Sequence, residues 1–450
     1  MADSEKGEHR DSVSLFGDEP QDLRPGSDAC YKCSVCDTDC PVAAVDDEFP
    51  GPKFQGPEQW RLRRKEDVDI DSSIMSCSNC MRCDRACPSG VPLSRMHNEA
   101  RGLYVEQSMS WLSRVYWRNR LLSNYGLLAR IAARVPRLAN TTLNNRIVQW
   151  LNEQVLGITA ERDFPAFAQQ TFRAWWDEQG GDEASRGRAE ARREELGLSM
   201  DADKRIAYFH GDYANYNTVE VAKAMVNVYE AFGYEIIVPQ QRCSGTPMFA
   251  NGMLDDAERA AKVNARELSS AVRDGYDVIC SCTSCSMALR QEYPELFDLD
   301  GVNQVAGSTY EALEYLRIHE DLTEVLAAAS IPDEALAYHA PCHARNQGLA
   351  GQPVELFEAL DGVTVDDVGP SCSGISGTYG WKREKYETSM AIGKPMFDHM
   401  REATGETGLT ECPTCAMQME HGTEYPVRHP LEIIERAIVE TEDDPVMAQF

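Results

Sequence analysis

Three textures follow one another along the chain. Residues 1 to about 28 show no periodic apolar pattern and predict a disordered acidic leader. From 93 to about 200, apolar residues recur at helical spacing, as in Trp111-Leu112-Val115 and Leu121-Leu122-Tyr125, and predict helices. From about 204 the period changes. Short apolar runs, Arg205-Ile206-Ala207-Tyr208-Phe209 and Tyr234-Glu235-Ile236-Ile237-Val238, alternate with longer helical patterns such as Asp255 to Val272, as expected of an α/β fold. No apolar run approaches the ~20 residues that span a bilayer.

Two internal repeats refine this picture. Cys30, Cys33, Cys36 and Cys40 recur as Cys77, Cys80, Cys83 and Cys87, each displaced by 47 residues. Further on, Phe209-His210-Gly211-Asp212, Cys243-Ser244-Gly245 and Cys282-x-x-Cys285 recur as Tyr338-His339-Ala340-Pro341-Cys342, Cys372-Ser373-Gly374 and Cys412-x-x-Cys415, displaced by 129 to 130. The second repeat reads as a duplicated α/β domain. The expected organisation is a leader over 1–28, a two-cluster ferredoxin-like module over 29–100, a helical connector over 101–203, and α/β domains over 204–328 and 329–450.

Composition adds two constraints. Lys and Arg number 44 against 73 Asp and Glu, a net charge of −29. That argues against nucleic acid as the main partner, because phosphate binding relies on clustered basic residues. Only ten of the basic residues are Lys. Excess carboxylate with scarce Lys suits a halophilic cytoplasm, where repulsion is screened within a few Å; equal stability at low and molar salt would refute that expectation. Sixteen cysteines are the other constraint. Met1 to Pro25 is polar and acidic, with no signal-peptide pattern, so a secretory disulfide framework is not expected. Clustered thiols in a reducing compartment mean metal ligands or redox chemistry.

Both N-terminal runs read C-x2-C-x2-C-x3-C-P, closed by Pro41 and Pro88, which is the spacing of bacterial two-cluster ferredoxins. A [4Fe-4S] cube takes three thiolates from one tight loop and its fourth from elsewhere, because a short loop cannot wrap it. Cross-ligation follows: Cys30, Cys33 and Cys36 with Cys87, and Cys77, Cys80 and Cys83 with Cys40. Structural zinc is the alternative, but it favours paired C-x2-C knuckles a dozen or more residues apart.

In the α/β repeats the cysteines follow apolar β runs, and open parallel sheets gather ligands at the carboxyl ends of their strands. One expected site therefore holds Cys342, Cys372, Cys412 and Cys415, as a cluster or as zinc. The other holds Cys243, Cys282 and Cys285, with Asp212 where the second repeat has Cys342. Cys280 offers this site a further sulfur. The bland alternative is that its cysteines are small buried apolar side chains. His210 and His339 read as core histidines rather than ligands.

These motifs together resemble the iron–sulfur subunits that carry duplicated cysteine-rich "CCG" domains. Among them are heterodisulfide reductase subunits, the iron–sulfur subunits of glycolate and lactate oxidases, and the C subunits of anaerobic glycerol-3-phosphate dehydrogenases. The stretches that carry the likeness to the last group are Phe49-Pro50-Gly51-Pro52-Lys53, Asn215-Tyr216-Asn217, Ser373-Gly374-Ile375-Ser376-Gly377-Thr378-Tyr379-Gly380, Glu411-Cys412-Pro413-Thr414-Cys415 and Glu420-His421-Gly422. The resemblance implies a subunit that takes electrons from an FAD-bearing dehydrogenase and passes them toward quinone. Two [4Fe-4S] clusters and a further cluster in the C-terminal domains are implied. The paired cysteine of the family's C-C-G is Cys243-Ser244 and Cys372-Ser373 here, which argues against a non-cubane cluster and against thiol–disulfide reduction. No G-x-G-x-x-G follows a strand, so a flavin is expected on another chain.

One stretch reverses the charge. From Gln107 to Asn152 there are seven arginines (114, 118, 120, 130, 134, 137 and 146), no acid, and Trp111, Trp117 and Trp150. Such helices lie in a bilayer interface, where each basic residue adds about 1 kcal/mol on anionic lipid. This implies a peripheral position on the inner face of the cell membrane. The alternative is that the arginines pair with carboxylates of the protein or of a partner, and that the tryptophans are core.

Overall fold

The computed structural model describes residues 29–66, 68–199 and 203–439. The expected leader over 1–28 lies outside them. In the cysteine-rich module the two runs fold alike. Lys32 and Ser34 in the first, and Asn79 and Met81 at the matching positions of the second, all hold left-handed backbone with φ between 56° and 64°. Each such residue costs about 1–2 kcal/mol, and together they curl the two loops in the same way. The loops lead into the short helices Val35–Thr38 and Arg82–Ala86. Helix α1 (Leu93–Leu103) backs both, with Trp60, Ile74, Leu93, Met96 and Ala100 in the core between them.

Four helices connect this module to the rest: α2 (Arg114–Ser123), α3 (Tyr125–Ala132), α4 (Pro136–Leu143) and α5 (Arg146–Leu156). Local signals start and stop them. Ser113 accepts from the Tyr116 amide, Pro136 begins α4, Asn145 accepts from the Ile147 amide, and Gly157 ends α5 at φ 72°. Their amphipathicity is inverted. The buried residues are Arg118, Asn119, Ser123, Ala129 and Gln149, and α4 buries none.

Among the described residues, eight strands form two parallel four-stranded sheets. The first contains β1 (Arg205–Phe209), β2 (Glu235–Ile237), β3 (Asp277–Cys280) and β4 (Thr309–Glu311), in the order β2-β1-β3-β4. The second contains β5 (Ser330–Tyr338), β6 (Asp361–Asp367), β7 (Thr407–Leu409) and β8 (Val427–Arg428), in the equivalent order β6-β5-β7-β8. The structure is thus α/β, with the same sheet order twice. One apolar core runs through both domains, from Ile206, Tyr208 and Val226 to Leu336, Leu356 and Ile434. Helices Val219–Ala231 and Pro430–Ile438 meet across the boundary, where the Asn227 amide donates to Glu435 at 2.6 Å. This packing turns the carboxyl ends of both sheets toward a common space.

Candidate functional site

The curled N-terminal loops each close on a small cavity. Cys30, Cys33, Cys36 and Cys87 line one, and Cys40, Cys77, Cys80 and Cys83 line the other. Burial drives these thiols away from ionisation. It raises Cys36, with help from Asp37, to about 12, and Cys40 to about 11. Burial would also raise Cys77, but Arg101 and His97 hold it down at about 6. Among the described residues no group of three or more His, Cys, Asp or Glu is arranged to hold a single metal ion. The sets surround volumes instead. Crowded buried thiols of this kind fit a multi-iron core, whose positive charge offsets the cost of ionising them.

His97 and Arg101, both on α1, are neighbours that spacing does not reveal. The His97 Nε2 proton goes to the Pro52 carbonyl at 2.9 Å, while Nδ1 stands 3.9 Å from Cys77 Sγ. Arg101 is fully buried and donates to Asn98 and to the Phe249 carbonyl, each at 2.8 Å. Asn79 and Asn98 in turn donate to Glu292, whose burial raises it to about 8.

In the α/β domains each C-x-x-C straddles a helix start. Cys282 caps Thr283–Met287 and Cys412 caps Pro413–Thr423, with Cys285 and Cys415 in the first turn. Helix N-termini favour thiolate there. Cys342 opens helix Cys342–Asn346 and stands 3.8 Å from Cys372, whose sulfur accepts the Gly374 amide at 3.4 Å. The serines beside Cys243 and Cys372 have a use. Ser244 Oγ lies 3.4 Å from Cys285 Sγ, and Ser373 Oγ lies 3.3 Å from Cys415 Sγ.

Sequence reasoning treats the two C-terminal sites as separate; the structure merges them. A single apolar cavity of about 450 Å³ is lined by Cys243, Cys282 and Cys285 from the first domain and by Cys342, Cys372, Cys412 and Cys415 from the second. Across the boundary, Ser284 Oγ of the first domain lies 4.0 Å from Cys412 Sγ and 2.9 Å from His343 Nδ1 of the second. Asp212 sits beside Cys243, raised to about 6 by burial, against Gly126 of α3. Cys280 is claimed by the apolar core of the first domain instead of supplying a further sulfur. His210 is buried, accepting from Arg173 at 3.2 Å, and His339 is buried with neither ring nitrogen partnered among the described residues. His343 and His429 line the cavity and were not singled out by the motifs.

The thiol sets form a continuous series. Cys33 is exposed and its neighbour Tyr31 is 84% exposed, so the first set lies at the surface. Cys40 and Cys77 of the second set share an apolar cluster with Cys342 and Cys372. Cys80 lines both its own cavity and the large one.

The large cavity also touches the connector through Leu122 and Tyr125. Tyr125 stacks on Tyr213, ring centroids 5.4 Å apart, and donates to Asn217 at 2.8 Å. The connector's outer face is apolar. Trp111 is 65% exposed, Trp117 51% and Trp150 55%, joined by Leu127, Ile131, Leu138 and Ile147. These tryptophans are not core. Among the described residues, ion pairs with carboxylates account for two of the seven arginines: Arg118 grips Glu384 at 2.6 and 2.8 Å, and Arg120 faces Asp256 at 3.6 Å. Arg114 and Arg137 donate instead to the Gln154 carbonyl and to Gln169, each at 3.2 Å. Among the described residues no helix is long and apolar enough to cross a membrane.

Comparison with known proteins places these features. The 4Fe-4S dicluster domain family matches residues 26–91, and the cysteine-rich domain family matches 206–290 and 336–420. The chain is 32% identical over 412 residues to the C subunit of the anaerobic glycerol-3-phosphate dehydrogenase of Escherichia coli K12, covering 91% of this chain and 98% of that one. It is 23% identical to the B subunit of the CoM/CoB fumarate reductase of Methanothermobacter marburgensis, over 88% of this chain and 68% of that one. It is 28% identical to lactate utilization protein A of Bacillus subtilis, over 42% of this chain and 77% of that one.

Proposed function

The chain belongs to the family of anaerobic glycerol-3-phosphate dehydrogenase C subunits and is an iron–sulfur electron-transfer subunit; we propose that it takes electrons from an FAD-containing dehydrogenase partner and delivers them to quinone at the membrane. The continuous series of thiol sets carries this reading. Electrons enter at the exposed set, Cys30, Cys33, Cys36 and Cys87, where a partner can approach. They leave at the large cavity, next to the connector.

Cys30, Cys33, Cys36 and Cys87 would hold one [4Fe-4S] cluster, and Cys77, Cys80, Cys83 and Cys40 a second. Cys342, Cys372, Cys412 and Cys415 would hold a further iron–sulfur cluster. Cys243, Cys282 and Cys285, with Asp212, complete the cavity wall as a weaker ligand set. Bound there, such clusters supply reversible one-electron chemistry. The chain's own groups set the conditions: α1 packs behind the N-terminal sets, His97 and Arg101 place positive character at Cys77, and the apolar lining keeps water from the large cavity.

The connector's apolar and arginine-rich face would hold the protein on the inner face of the membrane. Its charge complements anionic lipid in a chain of net −29. A glycolate or lactate oxidase role is the second reading, favoured by the likeness to lactate utilization protein A. Anaerobic co-purification tests both. A flavoprotein that oxidises glycerol-3-phosphate and reduces this chain supports the first reading; one that oxidises lactate or glycolate overturns it. Fewer than about eight irons per chain would contradict the two N-terminal cubes.

A further inference from the structure

Behind the wall formed by His210, Gly211, Asp212 and Cys243 lies a second cavity, of about 440 Å³. Its lining is basic. Arg130 and Arg134 reach it from α3 and the turn after it, Arg173 from helix Phe172–Glu178, and Arg242 from the loop before Cys243. Asp212 is the one carboxylate among the lining residues. The side chains of Arg130, Arg134 and Arg242 make no hydrogen bond or ion pair among the described residues. Arg173 is fixed by the Val238 carbonyl at 3.2 Å, the Pro239 carbonyl and His210, with no carboxylate in ion-pair contact. Arg173 is half-buried, whereas Arg130, Arg134 and Arg242 stand exposed at the rim. With Asp212 the one carboxylate lining it, the cavity is net positive and favours an anion.

The mouth of this cavity coincides with the apolar face. Leu127 lines the cavity and is 62% exposed, and Leu128 and Ile131 beside it also point outward. An anion that fits both surroundings carries an apolar tail. We propose that this cavity binds the phosphate of an anionic phospholipid, with its acyl chains lying along the exposed face of α3. The guanidinium fork matches phosphate oxygens in geometry and charge. The inference rests on the reading that the connector meets the membrane, and it adds a defined headgroup site to that face.

The test uses the intact protein and dihexanoyl phosphatidylglycerol below its micelle concentration, with inorganic phosphate as a second ligand, both read by equilibrium dialysis. The short-chain lipid should bind saturably. Arg242→Gln, which lies off the apolar face, should weaken it about tenfold, the worth of one charge-assisted contact. Arg137→Gln, on α4 outside the cavity, should leave it unchanged. Equal losses in the two variants would overturn the site in favour of diffuse attraction. Inorganic phosphate bound as tightly as the lipid would overturn the lipid assignment. The membrane reading fails separately: a protein that floats with no vesicle of any composition refutes docking, whereas a phosphatidylglycerol preference insensitive to Arg242→Gln refutes only the cavity.

Discussion

Replacing Leu127, Ile131, Leu138 and Ile147 together by serine tests the apolar face directly. These residues are 62%, 56%, 65% and 69% exposed. Complete burial of such a side chain is worth ~1.5–3 kcal/mol, so covering the exposed part contributes about 1 kcal/mol for each. Four serines remove about 4 kcal/mol of membrane affinity, close to a thousandfold. The fold should hardly respond, because these side chains already face water. The assay is flotation with phosphatidylcholine vesicles containing phosphatidylglycerol, run beside a thermal melt. Raising salt above ~0.1 M should weaken the arginine contribution, with a Debye length near 10 Å, and leave the apolar one. A quadruple variant that melts and floats like the parent would refute the reasoning.

Three further outcomes follow from the site. Cys87→Ser should abolish the EPR signal of the centre at Cys30, Cys33 and Cys36 and spare the other N-terminal one, with Cys40→Ser doing the reverse; loss confined to the mutated run's own loop would contradict cross-pairing. His97→Gln should lower the potential of the Cys77 centre alone, by roughly 20–60 mV, because a polar contact of about 0.5–1.4 kcal/mol to a ligand sulfur favours the reduced state; an unchanged redox titration would refute a role for His97. Glu292 sits at about 8 because of burial, so the native state loses stability as pH rises from the ordinary carboxyl range through that value. Glu292→Gln should therefore flatten the fall in melting temperature between pH 5 and 8, a gain of ~1–2 kcal/mol at the upper end, and a slope equal to the parent's would refute the assignment.

The sequence disclosed what is local and concealed what depends on docking. The N-terminal runs are legible because a cube of iron and sulfur dictates the spacing of the loop around it. Duplication is legible for a similar reason: Cys282-x-x-Cys285 and Cys412-x-x-Cys415 must each follow a strand and open a helix. That the two open into one cavity depends on how helices Val219–Ala231 and Pro430–Ile438 pack, which no motif encodes. The arginine island was visible, but its direction was not. Trp117 and Arg118 are adjacent, yet the tryptophan faces out and the arginine is buried on Glu384. His97 lies 20 residues from Cys77 and belongs to no spacing rule. Cys280 looks available because it precedes Cys282 by two, but it is the last residue of β3 and packs beside Val278 in the core, whereas Cys282 lies past the end of the strand.

The grip of Arg118 on Glu384, together with Tyr125 stacked on Tyr213, has a mechanical meaning. Helix α2 is bolted to the second domain and α3 to the first, so the four connector helices form a bracket spanning both domains. A bracket, unlike a tether, sets a stand-off. Any surface the outer face rests on is kept at one height above the cysteine-lined cavity, and the two domains cannot hinge apart without lifting from it.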